Sequence, residues 1–208
     1  MTAPTRILGI DPGLRLTGYG CLDTLPASES IVEAGVLRLG RPSASPPLQT
    51  PPLDITSISA RLAELDRDLR LLLSRLKPSI VAVEQLFAHP KHPATAITMA
   101  HARGIILLAV QNAGLQLIEI RPNEIKKSLT GYGHAAKGQM QDAIQAYFRL
   151  ESTPKPPDVA DALAIALCAA SKHHRGLPTS TPRRKKSPRS LAALPPDVRK
   201  QIEQDLDR

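Results

Sequence analysis

A chain of 208 residues with 42% apolar residues is long enough to bury one ordinary core. Its two cysteines, Cys21 and Cys168, make neither a disulfide framework nor a zinc site, no run approaches the ~18 apolar residues of a membrane span, and "MTAPTRILGI" lacks the regions of a signal peptide, so a reducing, cytoplasmic setting is expected. The net charge of +8 is concentrated in residues 172–208, where ten Lys and Arg face four Asp and Glu and "RRKK" occupies 183–186; residues 1–171 hold 17 against 15.

In chain order, "RILGID" (6–11) is a short apolar run stopped by Pro12-Gly13 and predicts a buried strand that ends on a carboxylate, Asp11. "LTGYGCLDT" (16–24) and "SIVEAGVLRL" (30–39) predict two further strands of a meander. The stretch 40–54 carries five prolines and predicts a loop. Leucines at 62, 65, 69, 72, 73 and 76 give helical spacing over 58–76, which Lys77-Pro78 ends. "SIVAVE" (79–84) predicts a second strand ending on a carboxylate, Glu84. A small-residue-rich helix over 93–114, a strand over 115–122, a short helix "NEIKKSL", a loop "TGYGHAAKG", a helix over 139–150 and a last core helix over 158–170 follow. Strands first, then helices alternating with strands, predict an α/β fold: a mixed central sheet flanked by helices. Residues 1–171 are expected to form one domain, and 172–208 a disordered basic tail with a short helix over 196–206. Such a tail attracts polyanions loosely.

Acids occur where acids are unexpected. Asp11 and Glu84 end apolar strands, and a charge there needs a partner or a metal. Asp158 and Asp161 open the last helix, where capping from the N-cap and N3 positions is the ordinary explanation. Asp161, however, shares a row with Ala164, Ile165 and Cys168, which should face the core. A helix laid across the sheet would aim Asp158 and Asp161 at Asp11 and Glu84. Four converging carboxylates repel one another unless hard divalent cations such as Mg²⁺ or Mn²⁺ join them, and two such ions ~4 Å apart are a standard device for phosphodiester hydrolysis. The six histidines, His89, His92, His101, His134, His173 and His174, fall in loops, on a helix or in the tail and pair with no cysteine, which disfavours zinc. No phosphate-binding Walker loop is present.

"ILGIDPGLRLTGYG", "VAVEQLF", "HARG", "TGYGHAAKGQMQ" and "PPDVADALAIA", in this order over 6–171, resemble the RuvC-type Holliday junction resolvases, crossover junction endodeoxyribonucleases on the ribonuclease H-like fold. The resemblance implies that Asp11, Glu84, Asp158 and Asp161 are catalytic, metal-binding carboxylates for Mg²⁺, with Mn²⁺ substituting and two ions per subunit. It implies that Lys126 and Lys137 meet DNA phosphate near the scissile bond, with Lys127 the neighbouring alternative to Lys126, and that Phe87 lies near the junction bases or else packs in the core. It further implies a homodimer, for which helix 93–114 is the candidate contact, four-way junction DNA as substrate, and the RuvA/RuvB branch-migration complex as partner. The 40–54 loop and the 172–208 tail depart from the family pattern without touching the carboxylates, and "FAHPKHPAT" departs from it where a base preference would be carried. Two rivals remain: an actin-like or sugar-kinase-like ATPase, which also opens strand, Asp-x-Gly turn, strand but needs a second such motif, and a junction-binding protein without activity, which has no need of all four carboxylates.

Overall fold

The computed structural model describes residues 3–26, 28–40, 58–86 and 93–176. Its elements are β1 (Thr5–Asp11), β2 (Leu16–Leu25), β3 (Ser28–Arg38), α1 (Ile58–Leu76), β4 (Ile80–Glu84), α2 (Pro93–Asn112), β5 (Gln116–Ile120), α3 (Pro122–Thr130), α4 (Lys137–Phe148) and α5 (Pro157–His174). The strands form one sheet in the order β3-β2-β1-β4-β5. The first three run as an antiparallel meander, while β4 joins β1 and β5 joins β4 in parallel. The mixed sheet flanked by helices expected from the sequence is therefore what forms.

The parallel half explains the apolar density of "IVAV" in β4: with helices on both faces of the sheet, both sides of that strand are buried. One core layer holds Ile7, Ile80, Ile118 and the apolar residues of α5, with α3 and α4 alongside; the other holds Leu8, Ile10, Val81 and Val83 against α1 and α2. Strand alternation thus sends Ile7, Gly9 and Asp11 toward α5, and Leu8 and Ile10 toward α1.

Glycine lets α5 settle directly onto the sheet. A Cβ at Gly9 would lie 2.3 Å from the Ala162 carbonyl oxygen and 2.6 Å from the Ala166 nitrogen, and one at Gly18 would lie 2.1 Å from the Asp158 carbonyl oxygen. The backbone of α5 occupies the space that side chains would take. Its own sequence matches, because small residues dominate its buried run. From Val159 to Ala170 every residue is buried except Asp161.

Element boundaries differ from the sequence reading in three informative places. Lys137 begins α4 instead of sitting in a loop; the side chain of Gln139 reaches back to accept from the Ala136 backbone N–H at 2.9 Å, doing the work of a cap residue. The last helix continues through His174, so His173 and His174 belong to α5 and not to the tail. Helix α2 stops at Asn112, ahead of Gly114 at φ 65°. The 40–54 loop beyond Gly40 and the residues from 177 onward lie outside the described residues, including the short helix expected over 196–206.

Candidate active site

The site assembles from the ends of elements far apart in sequence. The β1–β4 ladder runs from Ile7 opposite Ile80 to Ile10 opposite Val83. One step further stand Asp11 and Glu84, the last residues of their strands, both with the parity that faces α5. On its other side Asp11 pairs with Gly18 of β2. Gly18 is the residue on which the Asp158 backbone rests, which seats the start of α5 beside Asp11. Asp161, three residues on, is on the same side of the helix. The placement of metal-site candidates at the open ends of parallel strands follows the general location of sites in such sheets.

Asp158 does not cap the helix. The N-cap is Pro156, with no side-chain cap bond, and Pro157 takes the first helical position, which its fixed φ suits. Asp158 is thereby the second helical residue and Asp161 the fifth. The capping account of this pair fails for that reason, and both carboxylates remain available.

A cleft of about 230 Å³ opens here, lined by Asp11, Glu84, Asp161, Lys126 and Lys137, with Ile125 and Met140 among its apolar walls. It is smaller than the clefts that engulf drug-sized ligands. That size suits a phosphodiester edge and speaks against a nucleotide pocket. Asp158 is not in the lining, but its charge acts on Asp11. Burial, first, and then Asp161, Glu84 and Asp158 push the Asp11 carboxyl up to about 8, with Lys137 opposing. Burial and Asp161 also raise Glu84, against Lys126 and Lys137. Lys137 Nζ stands 3.0 Å from Asp161 Oδ2, and that bond raises the lysine. Among the described residues, Asp161 is the only one of the four acids with an ion-pair partner. Lys126 lines the cleft from α3, whereas the adjacent Lys127 is exposed outside it. Phe87 lies outside the described residues.

A donor set of carboxylate oxygens that raise one another's affinity for protons fits a hard divalent cation better than any other partner. Among the described residues, no three His, Cys, Asp or Glu side chains are already closed into a ligand set. The carboxylates instead face a shared cleft in which Lys137 neutralises one of them.

One residue that matters was not singled out by its chemistry. Arg103, from the "HARG" stretch on α2, donates from Nε to the Glu84 carbonyl oxygen at 3.3 Å and from Nη2 to Glu119 Oε2 at 2.8 Å. It ties the end of β4 to β5 from behind the site. A basic residue in the middle of an otherwise apolar helix was the available signal.

The span that carries this cleft, and most of the chain with it, matches known proteins. A family model described as "Crossover junction endodeoxyribonuclease RuvC" matches residues 7–169. The chain is 37% identical over 164 residues to the crossover junction endodeoxyribonuclease RuvC of Synechococcus sp. (strain WH7803), covering 78% of this chain and 96% of that one. It is 41% identical over 163 residues to the protein of the same name from Caldicellulosiruptor saccharolyticus, covering 78% and 90%. Among solved structures, T. thermophilus RuvC in complex with Holliday junction substrate superposes with a TM-score of 0.69 at 28% identity, over 83% of this chain and 96% of that one. With the mixed sheet order, these matches show that the chain belongs to the RuvC family of crossover junction endodeoxyribonucleases, on the ribonuclease H-like fold.

Proposed function

We propose that this chain is a Mg²⁺-dependent resolvase that, as a homodimer, places symmetric nicks in four-way junction DNA during recombination and repair. The observation that supports it most is the gathering of Asp11, Glu84 and Asp161 around one small cleft, with Asp158 near enough to act on Asp11, by a helix seated on glycines. These four would hold divalent ions, two per subunit, which when bound supply Lewis acidity and a water ionisable at neutral pH. Asp11, flanked by Glu84 and by the start of α5, would be the central ligand of this set. Lys126 and Lys137 border the acids and would hold the scissile phosphate by charge. Lys137 waits on Asp161, so phosphate binding exchanges one anionic partner for another. Removing either lysine is expected to weaken junction binding and to reduce the slope of log affinity against log salt by about 1, read from binding isotherms at several salt concentrations.

Arg103 is a positioning residue. Arg103→Met frees the end of β4, and the Mg²⁺ concentration giving half-maximal cleavage should rise ~10-fold with the melting temperature in chelator little changed. An unchanged Mg²⁺ requirement would remove this role.

The two-fold symmetry of the substrate calls for two identical sites. On α2, Ile97, His101, Gly104 and Leu108 form one exposed stripe at helical spacing, with Ile97 58% and Leu108 51% exposed. That stripe is the proposed contact between subunits. Among the described residues no helix is long and apolar enough to cross a membrane; the cytoplasm is the location proposed, as the place where the proposed DNA substrate is found. Cooperation with the RuvA/RuvB branch-migration complex, and loose DNA attraction by the basic tail, are part of the same reading.

Synthetic four-way junction incubated with the purified protein and Mg²⁺ is expected to yield nicks at symmetric positions in two opposed strands, with linear duplex of the same sequence left uncut. Binding without nicking, or equal cutting of linear duplex, would overturn the proposal.

A further inference from the structure

Among the described aromatic residues Tyr132 is the most exposed, and it lies in the loop that joins the two helices carrying the cleft's lysines. Tyr132 is 62% exposed and lies in the α3–α4 loop, between the helix carrying Lys126 and the residue, Lys137, that starts the next helix. The His134 ring meets the Tyr132 ring edge-on at a centroid distance of 5.6 Å. Burial alternates along this stretch: Tyr132 and His134 are exposed, Gly133 is half-buried and Ala135 is buried. A Cβ at Gly133 would sit 3.5 Å from the Asn123 carbonyl oxygen, so the loop folds over the start of α3, next to Pro122 in the cleft lining.

The loop is pinned. Gly131, in the left-handed region at φ 76°, ends α3 and donates to the Lys127 carbonyl oxygen at 2.9 Å. The Thr130 hydroxyl lies 2.9 Å from the Lys126 carbonyl oxygen and 3.0 Å from that of Tyr132, and it accepts from the Tyr132 backbone N–H at 3.2 Å. The Ala135 backbone N–H donates to the Tyr132 carbonyl oxygen at 3.3 Å. An exposed ring that its backbone already holds in place loses little freedom on binding, and a face open to solvent beside two phosphate-facing lysines is a stacking surface.

We infer that Tyr132, braced by His134, stacks on an unpaired or unstacked nucleobase at the branch point of the junction, next to the strand being cut. This rests on the proposed junction-cleaving function and adds to it a base contact that selects the branch point over continuous duplex, where every base face is already covered. His134 is a positioning residue that supports the tyrosine ring.

The test uses full-length protein carrying Asp11→Asn, so that junctions are bound without being cut, and junctions with 2-aminopurine at each branch-flanking position. Binding should quench the probe at one position. Adding Tyr132→Ala should abolish that quench and weaken junction affinity on the order of 10-fold without changing the salt slope, while Tyr132→Phe should keep both. Adding His134→Ala should reduce the quench partially. Quenching and affinity that survive Tyr132→Ala would overturn the stacking role while leaving junction binding intact. Failure of the Asp11→Asn protein itself to prefer junction over duplex would instead overturn the function on which the inference rests.

Discussion

Replacing Asp11 with Asn is expected to make the protein more stable and almost inactive in one step. The carboxyl sits at about 8 against an ordinary 3.8 because burial and three neighbouring acids oppose its charge. The sign follows from proton uptake. Between pH ~4 and ~8 the unfolded chain has lost this proton and the folded chain keeps it, so without metal the folded state loses stability as pH rises through that window. A shift of this size corresponds to at most about 6 kcal/mol, and water in the open cleft together with adjustment of Lys137 reduces it to about 3 kcal/mol. Asn has no charge to oppose. Melts in chelator at pH 8.5 should therefore show Asp11→Asn raised by ~6–12 °C over the parent, with the gap closing toward pH 4. Cleavage of four-way junction should fall by ~10³-fold or more, since losing a ligand of the proposed metal site would remove several kcal/mol of charge stabilisation in the transition state. Equal melting temperatures at pH 8.5 would show that the acids are not in fact crowded. Retained cleavage would remove Asp11 from the chemistry.

The second large effect is at Gly18, a residue with no chemistry of its own. A Cβ there meets the Asp158 backbone at 2.1 Å, and neither strand nor helix backbone has a flexible end to move aside. Gly18→Ala should lift the start of α5 from the sheet, destabilise the fold by ~1–3 kcal/mol, and lower junction cleavage ~10²-fold by moving Asp158 and Asp161 away from Asp11. Gly20 supplies the comparison. Its Cβ would meet Leu163, first at the Cδ2 tip at 2.8 Å, and although the Cα at 3.0 Å is also close, the nearest atom can rotate. Gly20→Ala should therefore cost less activity, being further from the acids. Equal rates for the two variants in a single-turnover assay would refute the seating argument.

The sequence exposed the acids well because each interrupts a pattern. Asp11 and Glu84 stop apolar strands, and Asp161 breaks an otherwise buried row, so all three were visible without coordinates. The β elements and α1 were legible for a related reason: their apolar spacing has little competition from other readings. The ordinary capping explanation for Asp158 and Asp161 competes with the metal-site reading in the sequence, and only the structure removes it, because Pro157 opens the helix one residue earlier. The start of α4 was missed because its cap comes from Gln139 inside the helix and not from a polar residue before it. The roles of Gly9 and Gly18 could not be read at all. A glycine in a strand shows that something comes close, but what comes close is α5, about 150 residues later. Arg103 shows as a basic residue on a largely apolar helix, but its partners, the Glu84 carbonyl and the Glu119 side chain, are set by the fold and not by sequence spacing.

The seating of α5 also bears on when activity begins. Two of the four acids arrive only with the last described helix, after the sheet and four other helices have been written out. A chain stalled or clipped before Pro157 has Asp11 and Glu84 but lacks the helix that covers Gly9 and Gly18 and completes the set. On the proposed site such fragments would bind no complete set of ions and leave DNA intact, so competence to cut would arrive only with α5.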